Sequence, residues 1–242
     1  MNSSKSYFDG IKWVFVDLDD TLWDFTKNSS QSLNILYNSE PLLSKLYPDY
    51  SEYDEKYHFK NSELWHKYHH GEISQDYLKK ERFRWLLIQK GANFENIDNE
   101  SARLNDKYLT ILGEQIAVVD GAEELLQYLS KKYLIGILSN GFMNVQYNKL
   151  YGTNIHRYIQ RMVVSDEIGV QKPDIRIFDY ALQAVGAVAD EVVLIGDNPD
   201  ADIKGAINAG WHTIYFDRNE KGITEVIPNA IVKDLRDVIE LL

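Results

Sequence analysis

The chain has 242 residues, of which 44% are hydrophobic and 26% charged, the proportions of an ordinary globular protein. Its formal net charge of −11 disfavours a nucleic acid polymer or an anionic membrane surface as a partner, and the absence of cysteine excludes disulfides, thiolate metal sites and thiol catalysis. With neither a signal-like apolar segment near Met1 nor an apolar run of about 18 residues, we predict a cytoplasmic protein.

The first predicted strand, residues 11–16, is an apolar run that ends in Asp17, Asp19, Asp20 and Thr21. Such a run is typical of a fully buried strand in a parallel sheet. Ligands of open α/β sheets bind at the carboxyl ends of the strands, so the acidic cluster indicates a site. The alternative is a strand that merely leaves the core through an Asp-rich loop.

The next segment, residues 23–115, has helical apolar spacing and no convincing buried strand. Gly71 interrupts it, and Ser74 is a suitable N-cap for the helix that follows. We therefore predict an all-helical insert after the first strand.

Strands and helices alternate regularly after the insert. This order predicts an α/β fold, a Rossmann-like parallel sheet with helices on both faces, built from residues 1–22 and 116–242. The later predicted strands are residues 133–138, 161–165, 192–197, 213–216 and 230–232.

Polar side chains follow four of these strands, where each strand ends. They are Asp17 and Asp19 after the first strand, then Ser139, Asn140 and Gly141, then Lys172 in the loop beyond the third strand, then Asp197 followed by Asp200 and Asp202. Because the carboxyl ends of parallel strands share one edge of the sheet, we expect these residues to converge.

The chemistry of this set indicates phosphoryl transfer. Clustered carboxylates require a positive counterweight, and oxygen-only ligands favour Mg²⁺. A metal, a lysine, a hydroxyl and the backbone N–H groups of a Ser-Asn-Gly turn together form a phosphate cradle. A carboxylate can act as the nucleophile through an aspartyl-phosphate, and a second aspartate can serve as acid and then as base.

Four segments resemble, in order, the motifs of the haloacid-dehalogenase-like phosphohydrolases, and the helical insert resembles the helical (C1) cap of that superfamily. The segments are residues 17–21, 139–141, 172–173 and 196–202. The resemblance implies a discontinuous catalytic core, residues 1–22 and 116–242, and a cap domain, residues 23–115.

The same resemblance implies a role for each residue. Asp17 is the nucleophile and a Mg²⁺ ligand, and Asp19 is the general acid/base that gives the metal its backbone carbonyl. Ser139 and the neighbouring backbone N–H of Asn140 hold the phosphoryl group. Lys172 offsets the negative charge of the nucleophile and the phosphate. Asp197 is a further Mg²⁺ ligand, and Asp202 orients the water molecules bound to the metal.

The retained Asp19 favours phosphate monoester hydrolysis over dehalogenation, because a halide departs without protonation. Parts of the insert and core also resemble the bacterial pyrimidine 5′-nucleotidases of this superfamily. They are residues 64–74, 81–83, 139–142 and 165–173. We therefore predict a Mg²⁺-dependent phosphatase of a nucleoside 5′-monophosphate. The alternatives are a sugar-phosphate or phosphoglycolate phosphatase and, from another class, a non-catalytic binding module.

Other polar residues receive structural interpretations. Asp20 is assigned to the loop or to helix capping, and Asp200 to helix capping. Arg82 is expected to form a surface salt bridge in preference to contacting the substrate. The histidines at 66, 69 and 70 lack a carboxylate at ligand spacing, so we expect no metal there.

Overall fold

The structure, a computed structural model, describes residues 7–92, 95–220, 222 and 226–242. The chain divides into two compact units. One consists of Met1–Phe25 together with Ile116–Leu242, and the other is Thr26–Gln115. The first unit contains a parallel sheet and the second is helical.

The sheet of the first unit has six strands in the order β3-β2-β1-β4-β5-β6, and every neighbouring pair is parallel. This topology confirms the predicted Rossmann-like fold. The strands are β1 Trp13–Val16, β2 Leu134–Ser139, β3 Arg161–Val164, β4 Val192–Gly196, β5 His212–Phe216 and β6 Ala230–Val232.

Strand β1 lies near the centre of the sheet because its apolar residues are buried on both faces. Val14, Phe15 and Val16 are completely buried. The ring of Phe15 lies 5.2 Å from that of Trp211, which in turn meets the ring of Phe178 edge to face at 5.4 Å. Burial of this kind stabilises the fold by about 1.5–3 kcal/mol for each large apolar side chain.

The second unit is built from helices that follow β1 in the chain. They are α1 Phe25–Ser39, α2 Pro41–Leu46, α3 Tyr50–His69, α4 Gln75–Gln89 and α5 Ile97–Gly113. Helix α4 begins as predicted, since the hydroxyl of Ser74 accepts a hydrogen bond from the N–H of Tyr77 at 3.2 Å. In the described part of the chain no helix combines the length and the apolar character needed to cross a membrane.

Aromatic rings form the interior of the helical unit. The ring of Tyr57 packs against Phe83 and Tyr108 at 5.3 and 5.2 Å, and all three residues are completely buried. The hydroxyl of Tyr108 is hydrogen-bonded to Ser29 at 2.8 Å. Such pairing satisfies the polar end of a ring that is otherwise apolar.

The expectation of a surface salt bridge for Arg82 is wrong. Arg82 is only 3% exposed and donates hydrogen bonds to the neutral oxygens of Asn105, Asn61 and Tyr57 at 2.5, 3.4 and 3.4 Å. Among the described residues, no carboxylate forms an ion pair with it. The guanidinium therefore ties three helices together inside the unit.

The helices of the α/β unit connect successive strands. They are α6 Ala122–Leu129, α7 Met143–Gly152, α8 Ser165–Ile168, α9 Ile175–Val185 and α10 Gly205–Asn208. A π-helical turn, Pro199–Lys204, precedes α10, and a 3₁₀ helix, Leu235–Glu240, ends the chain. Ile177 and Phe178 of α9 pack in the same buried cluster as Phe15.

Candidate active site

The strand ends converge as the sequence predicted, because the register of the sheet puts them at one level. Val16 of β1 is paired with Ile137 of β2 on one side and with Ile195 of β4 on the other. Asp17 follows directly and donates its N–H to the carbonyl of Ile195 at 2.9 Å. Ser139 and Asp197 stand two residues beyond those partners, so all three side chains emerge at the same edge.

Three carboxylates form an acidic cluster at this edge. Oxygen atoms of Asp17, Asp197 and Asp202 all lie within 4.8 Å of one another, with Asp17 and Asp202 buried and Asp197 half-buried. A set of oxygen donors without sulfur or nitrogen suits a hard divalent cation. The donor set and its spacing therefore fit Mg²⁺.

The turn after β4 brings Asp202 into this cluster. The side chain of Asn198 caps the turn by accepting hydrogen bonds from the N–H groups of Asp200 and Ala201 at 3.0 and 2.9 Å. The N–H of Asn198 in turn donates to the Asp202 carboxylate at 3.0 Å. The assignment of Asp200 to helix capping is therefore wrong, because Asn198 holds that position and the side chain of Asp200 is exposed.

Gly196 is required by the close approach of Asp202. A β-carbon at this position would lie 2.4 Å from Oδ2 of Asp202, far inside van der Waals contact. The glycine therefore lets the buried carboxylate pack against the end of β4.

Lys172 is the positive counterweight of the cluster. Its ammonium group donates hydrogen bonds to Asp17 at 2.6 Å, to Asp202 at 2.5 Å and to the carbonyl of Leu138 at 2.7 Å. These acceptors use all three of its N–H bonds. Burial opposes the charged form, but the two carboxylates outweigh it and raise the pKa of Lys172, so the lysine is an ammonium ion.

The electrostatics of the cluster leave negative charge in excess. Burial raises the pKa of Asp17 well above its ordinary value, Lys172 lowers it, and the charges of Asp202 and Asp197 raise it again. One ammonium thus faces three carboxylates. A bound divalent cation would supply the missing positive charge, which is a second reason that these residues fit a metal.

The side chain of Asn140 holds Lys172 in place. Its Nδ2 donates to the carbonyl of Lys172 at 2.9 Å, and its Oδ1 accepts the N–H of Lys172 at 2.8 Å. This pair of hydrogen bonds fastens the loop between α8 and α9 to the end of β2. The amide is therefore engaged in the scaffold, which leaves only the backbone N–H of Asn140 for the predicted contact with phosphate.

The side chain of Asp19 points to a different set of partners. Lys149 donates to both of its carboxylate oxygens at 2.6 and 2.9 Å, and Gln146 donates to Oδ2 at 2.8 Å. The same amide nitrogen of Gln146 reaches the hydroxyl oxygen of Ser139 at 2.6 Å. Sequence reasoning missed Gln146 and Lys149, although both lie one to two helical turns after the Ser-Asn-Gly segment.

Asp20 has a structural role in the loop after β1. Its backbone adopts a left-handed conformation with φ of 59°, and its carboxylate pairs with Arg218 at 3.1 Å. Arg218 also pairs with Asp24 at 3.3 Å. These ion pairs agree with the assignment of Asp20 to the loop.

Residues 11–210 match the family model for haloacid dehalogenase-like hydrolases. Pyrimidine 5′-nucleotidase YjjG of Escherichia coli is 31% identical over 95% of this chain and 97% of its own length. Glyceraldehyde 3-phosphate phosphatase of Methanothermobacter thermautotrophicus is 29% identical over 94% of each chain.

A solved structure shows the same fold. YfnB of Bacillus subtilis, determined bound to magnesium, superposes with a TM-score of 0.83 at 27% identity. The match covers 96% of this chain and 98% of that protein.

Proposed function

We propose that this chain, which belongs to the haloacid dehalogenase-like hydrolases, is a Mg²⁺-dependent phosphatase that acts through an aspartyl-phosphate. The observation that carries the proposal is that two carboxylates, only two residues apart in the sequence, have different surroundings in the structure. Asp17 is buried with Lys172 and the acidic cluster, whereas Asp19 has its own partners on α7. Two carboxylates in different surroundings suit two different tasks.

Asp17 is the nucleophile in this proposal. Its carboxylate attacks the phosphorus atom, a P–O bond forms, and the bond to the leaving oxygen breaks in line with it. The ammonium of Lys172 neutralises charge that Asp17 and the phosphoryl oxygens bring together. The hydroxyl of Ser139 and the backbone N–H of Asn140 hold the phosphoryl oxygens.

Asp19 is the acid and then the base. It donates a proton to the leaving alkoxide in the first step, and takes one from the water that hydrolyses the aspartyl-phosphate in the second. A reaction that released a halide would not need this proton.

Asp17, Asp197 and the backbone carbonyl of Asp19 would hold Mg²⁺, with Asp202 orienting its waters. When bound, the ion supplies charge stabilisation to the phosphoryl oxygens. The magnesium in YfnB, a structure of the same fold, supports this choice of metal.

A pyrimidine nucleoside 5′-monophosphate is the proposed substrate, and residues 23–115 are the proposed cap domain. The support is the likeness to YjjG over nearly the whole chain. A sugar phosphate is the second candidate, because glyceraldehyde 3-phosphate phosphatase is almost equally similar over almost the same length.

A phosphate-release screen with Mg²⁺ tests the proposal. We expect kcat/KM for UMP, dUMP and dTMP to exceed that for glyceraldehyde 3-phosphate and phosphoglycolate by about tenfold. The Asp17→Asn variant, purified in parallel, controls for contaminating phosphatases. A tenfold preference in kcat/KM for a sugar phosphate would overturn the proposed substrate class. Absence of phosphate release from every ester would overturn the proposed phosphatase activity.

A further inference from the structure

Two polar side chains of helix α7 contact the carboxylate of Asp19, which lies far from them in the sequence. Gln146 and Lys149 stand three residues apart, 127 and 130 residues after Asp19, and both reach its carboxylate. Residues with this spacing lie on the same face of a helix. The neighbouring Tyr147 and Asn148 are exposed, so this pair occupies the buried face.

Lys149 is enclosed on its other sides. The residue is 3% exposed, and its ammonium lies 4.6 Å from the ring centre of Trp23 and 5.5 Å from that of Phe25. Both rings follow the first motif directly. Among the described residues, Asp19 is the one carboxylate with which Lys149 forms an ion pair. Burial of a lysine costs free energy unless it is paired, so the site is built around Asp19.

Gln146 joins Asp19 to the predicted phosphate-holding hydroxyl. Its Nε2 lies 2.8 Å from Oδ2 of Asp19 and 2.6 Å from Oγ of Ser139, so its two N–H bonds serve the two residues. Gly141 leaves room for this arrangement, because a β-carbon there would lie 2.8 Å from Cδ of Gln146. The glycine of the Ser-Asn-Gly turn thus has a packing reason.

We propose that Gln146 and Lys149 are positioning residues that hold the Asp19 carboxyl group where it protonates the leaving oxygen. The proposal rests on the proposed function, since it requires Asp19 to be the acid. Three hydrogen bonds fix both carboxylate oxygens, so the side chain cannot rotate freely. General acid catalysis typically raises the reaction rate by about 10²–10⁴-fold, and much of this enhancement depends on the correct placement of the acid. A small displacement of the acid therefore loses much of the rate enhancement.

The test compares two leaving groups. An alkyl ester such as UMP needs a proton at its leaving oxygen, whereas p-nitrophenyl phosphate releases a stabilised phenolate without one. Because kcat/KM reports the steps up to departure of the leaving group, the later role of Asp19 as a base does not enter. Lys149→Met removes the charge and keeps the aliphatic stem, and Gln146→Met removes the amide. Asn148→Ala on the exposed face of the same helix is the matched control.

We expect Lys149→Met to lower kcat/KM for UMP by about 10- to 100-fold while changing that for p-nitrophenyl phosphate less than about threefold. Gln146→Met also loses the hydrogen bond to Ser139, which affects both esters, so its kcat/KM for UMP should fall by about tenfold more than its kcat/KM for p-nitrophenyl phosphate. Asn148→Ala should change neither. An equal loss on both esters, or no loss on UMP, would overturn the proposal. If one variant fails to fold, the other still decides, because Gln146→Met leaves no buried charge unpaired. A wild-type chain inactive on every ester would instead refute the proposed function.

Discussion

Lys172 Nζ lies 2.6 Å from Oδ1 of Asp17, although the two residues are 155 positions apart in the chain. This contact joins the end of β1 to the loop between α8 and α9, which follows β3 in the chain. Asn140, directly after β2, fastens the backbone of Lys172 and so sets this distance. The fold itself therefore places the positive counter-charge beside the proposed nucleophile, without any contribution from a bound substrate.

Replacing Lys172 should damage both stability and activity. In Lys172→Met the buried carboxylates of Asp17 and Asp202 lose their ammonium partner, which costs about 3–5 kcal/mol of unfolding free energy. Denaturant unfolding in the presence of a chelator measures this loss, and phosphate release should fall with it. Lys131→Met, at an exposed position beyond α6, is the control and should change the free energy by less than about 0.5 kcal/mol. Equal stability of the two variants would contradict the role given to Lys172.

Removal of the metal should abolish phosphate release, and added Mg²⁺ should restore it. Because a ligand that binds only the folded state stabilises it, Mg²⁺ should also raise the thermal unfolding midpoint. Asp197→Asn should lose that rise. Asp200→Asn, three residues on and exposed, should keep it. Full activity in chelator, or an equal Mg²⁺ response in both variants, would refute the metal site.

The helical unit should show a pH-dependent contribution from Glu40. Hydrogen bonds from Arg103, opposed by burial and reinforced by Lys107, lower the pKa of Glu40 from 4.5 to about 2. A lowered pKa in the folded state means that the stabilisation is present above the ordinary value and is lost as the pH falls through the folded one.

Glu40→Gln should therefore lower the unfolding free energy by about 1–2 kcal/mol at neutral pH, since solvent around the partly exposed Arg103 reduces the full effect. The difference from wild type should shrink as the pH falls from 4.5 to about 2. Glu55→Gln, on the exposed face of α3, is the matched control. A constant difference across that range would be inconsistent with the ion pairs.

The fold and much of the site were predictable because their signals are local in sequence. Apolar runs ending in polar residues mark strand ends, and a parallel sheet brings those ends together whatever the distance along the chain. Asp17, Ser139 and Asp197 stand at one edge of the sheet for this reason, and Lys172 and Asp202 reach Asp17 from the segments that follow the strands.

The partners of Asp19 were not predictable by the same reasoning. Gln146 and Lys149 lie on the buried face of α7. Hydrophobic periodicity identifies only apolar faces, so in the sequence a buried polar pair cannot be distinguished from a solvent-exposed one. The prediction for Arg82 is wrong for the same reason, because neutral side chains from two other helices accept hydrogen bonds from its two terminal nitrogens. The helix N-cap is Asn198, two residues before the predicted capping residue Asp200, and helix boundaries are ordinarily uncertain by this amount.

The stereochemical course at phosphorus tests the central claim, attack by Asp17, most directly. Each in-line displacement inverts the phosphorus centre, so a route through an aspartyl-phosphate requires two inversions. Hydrolysis of a nucleoside 5′-phosphorothioate made chiral with oxygen isotopes should therefore proceed with net retention, and Asp17→Asn should give no turnover. Net inversion would show that water attacks the phosphorus atom directly, and would contradict the account.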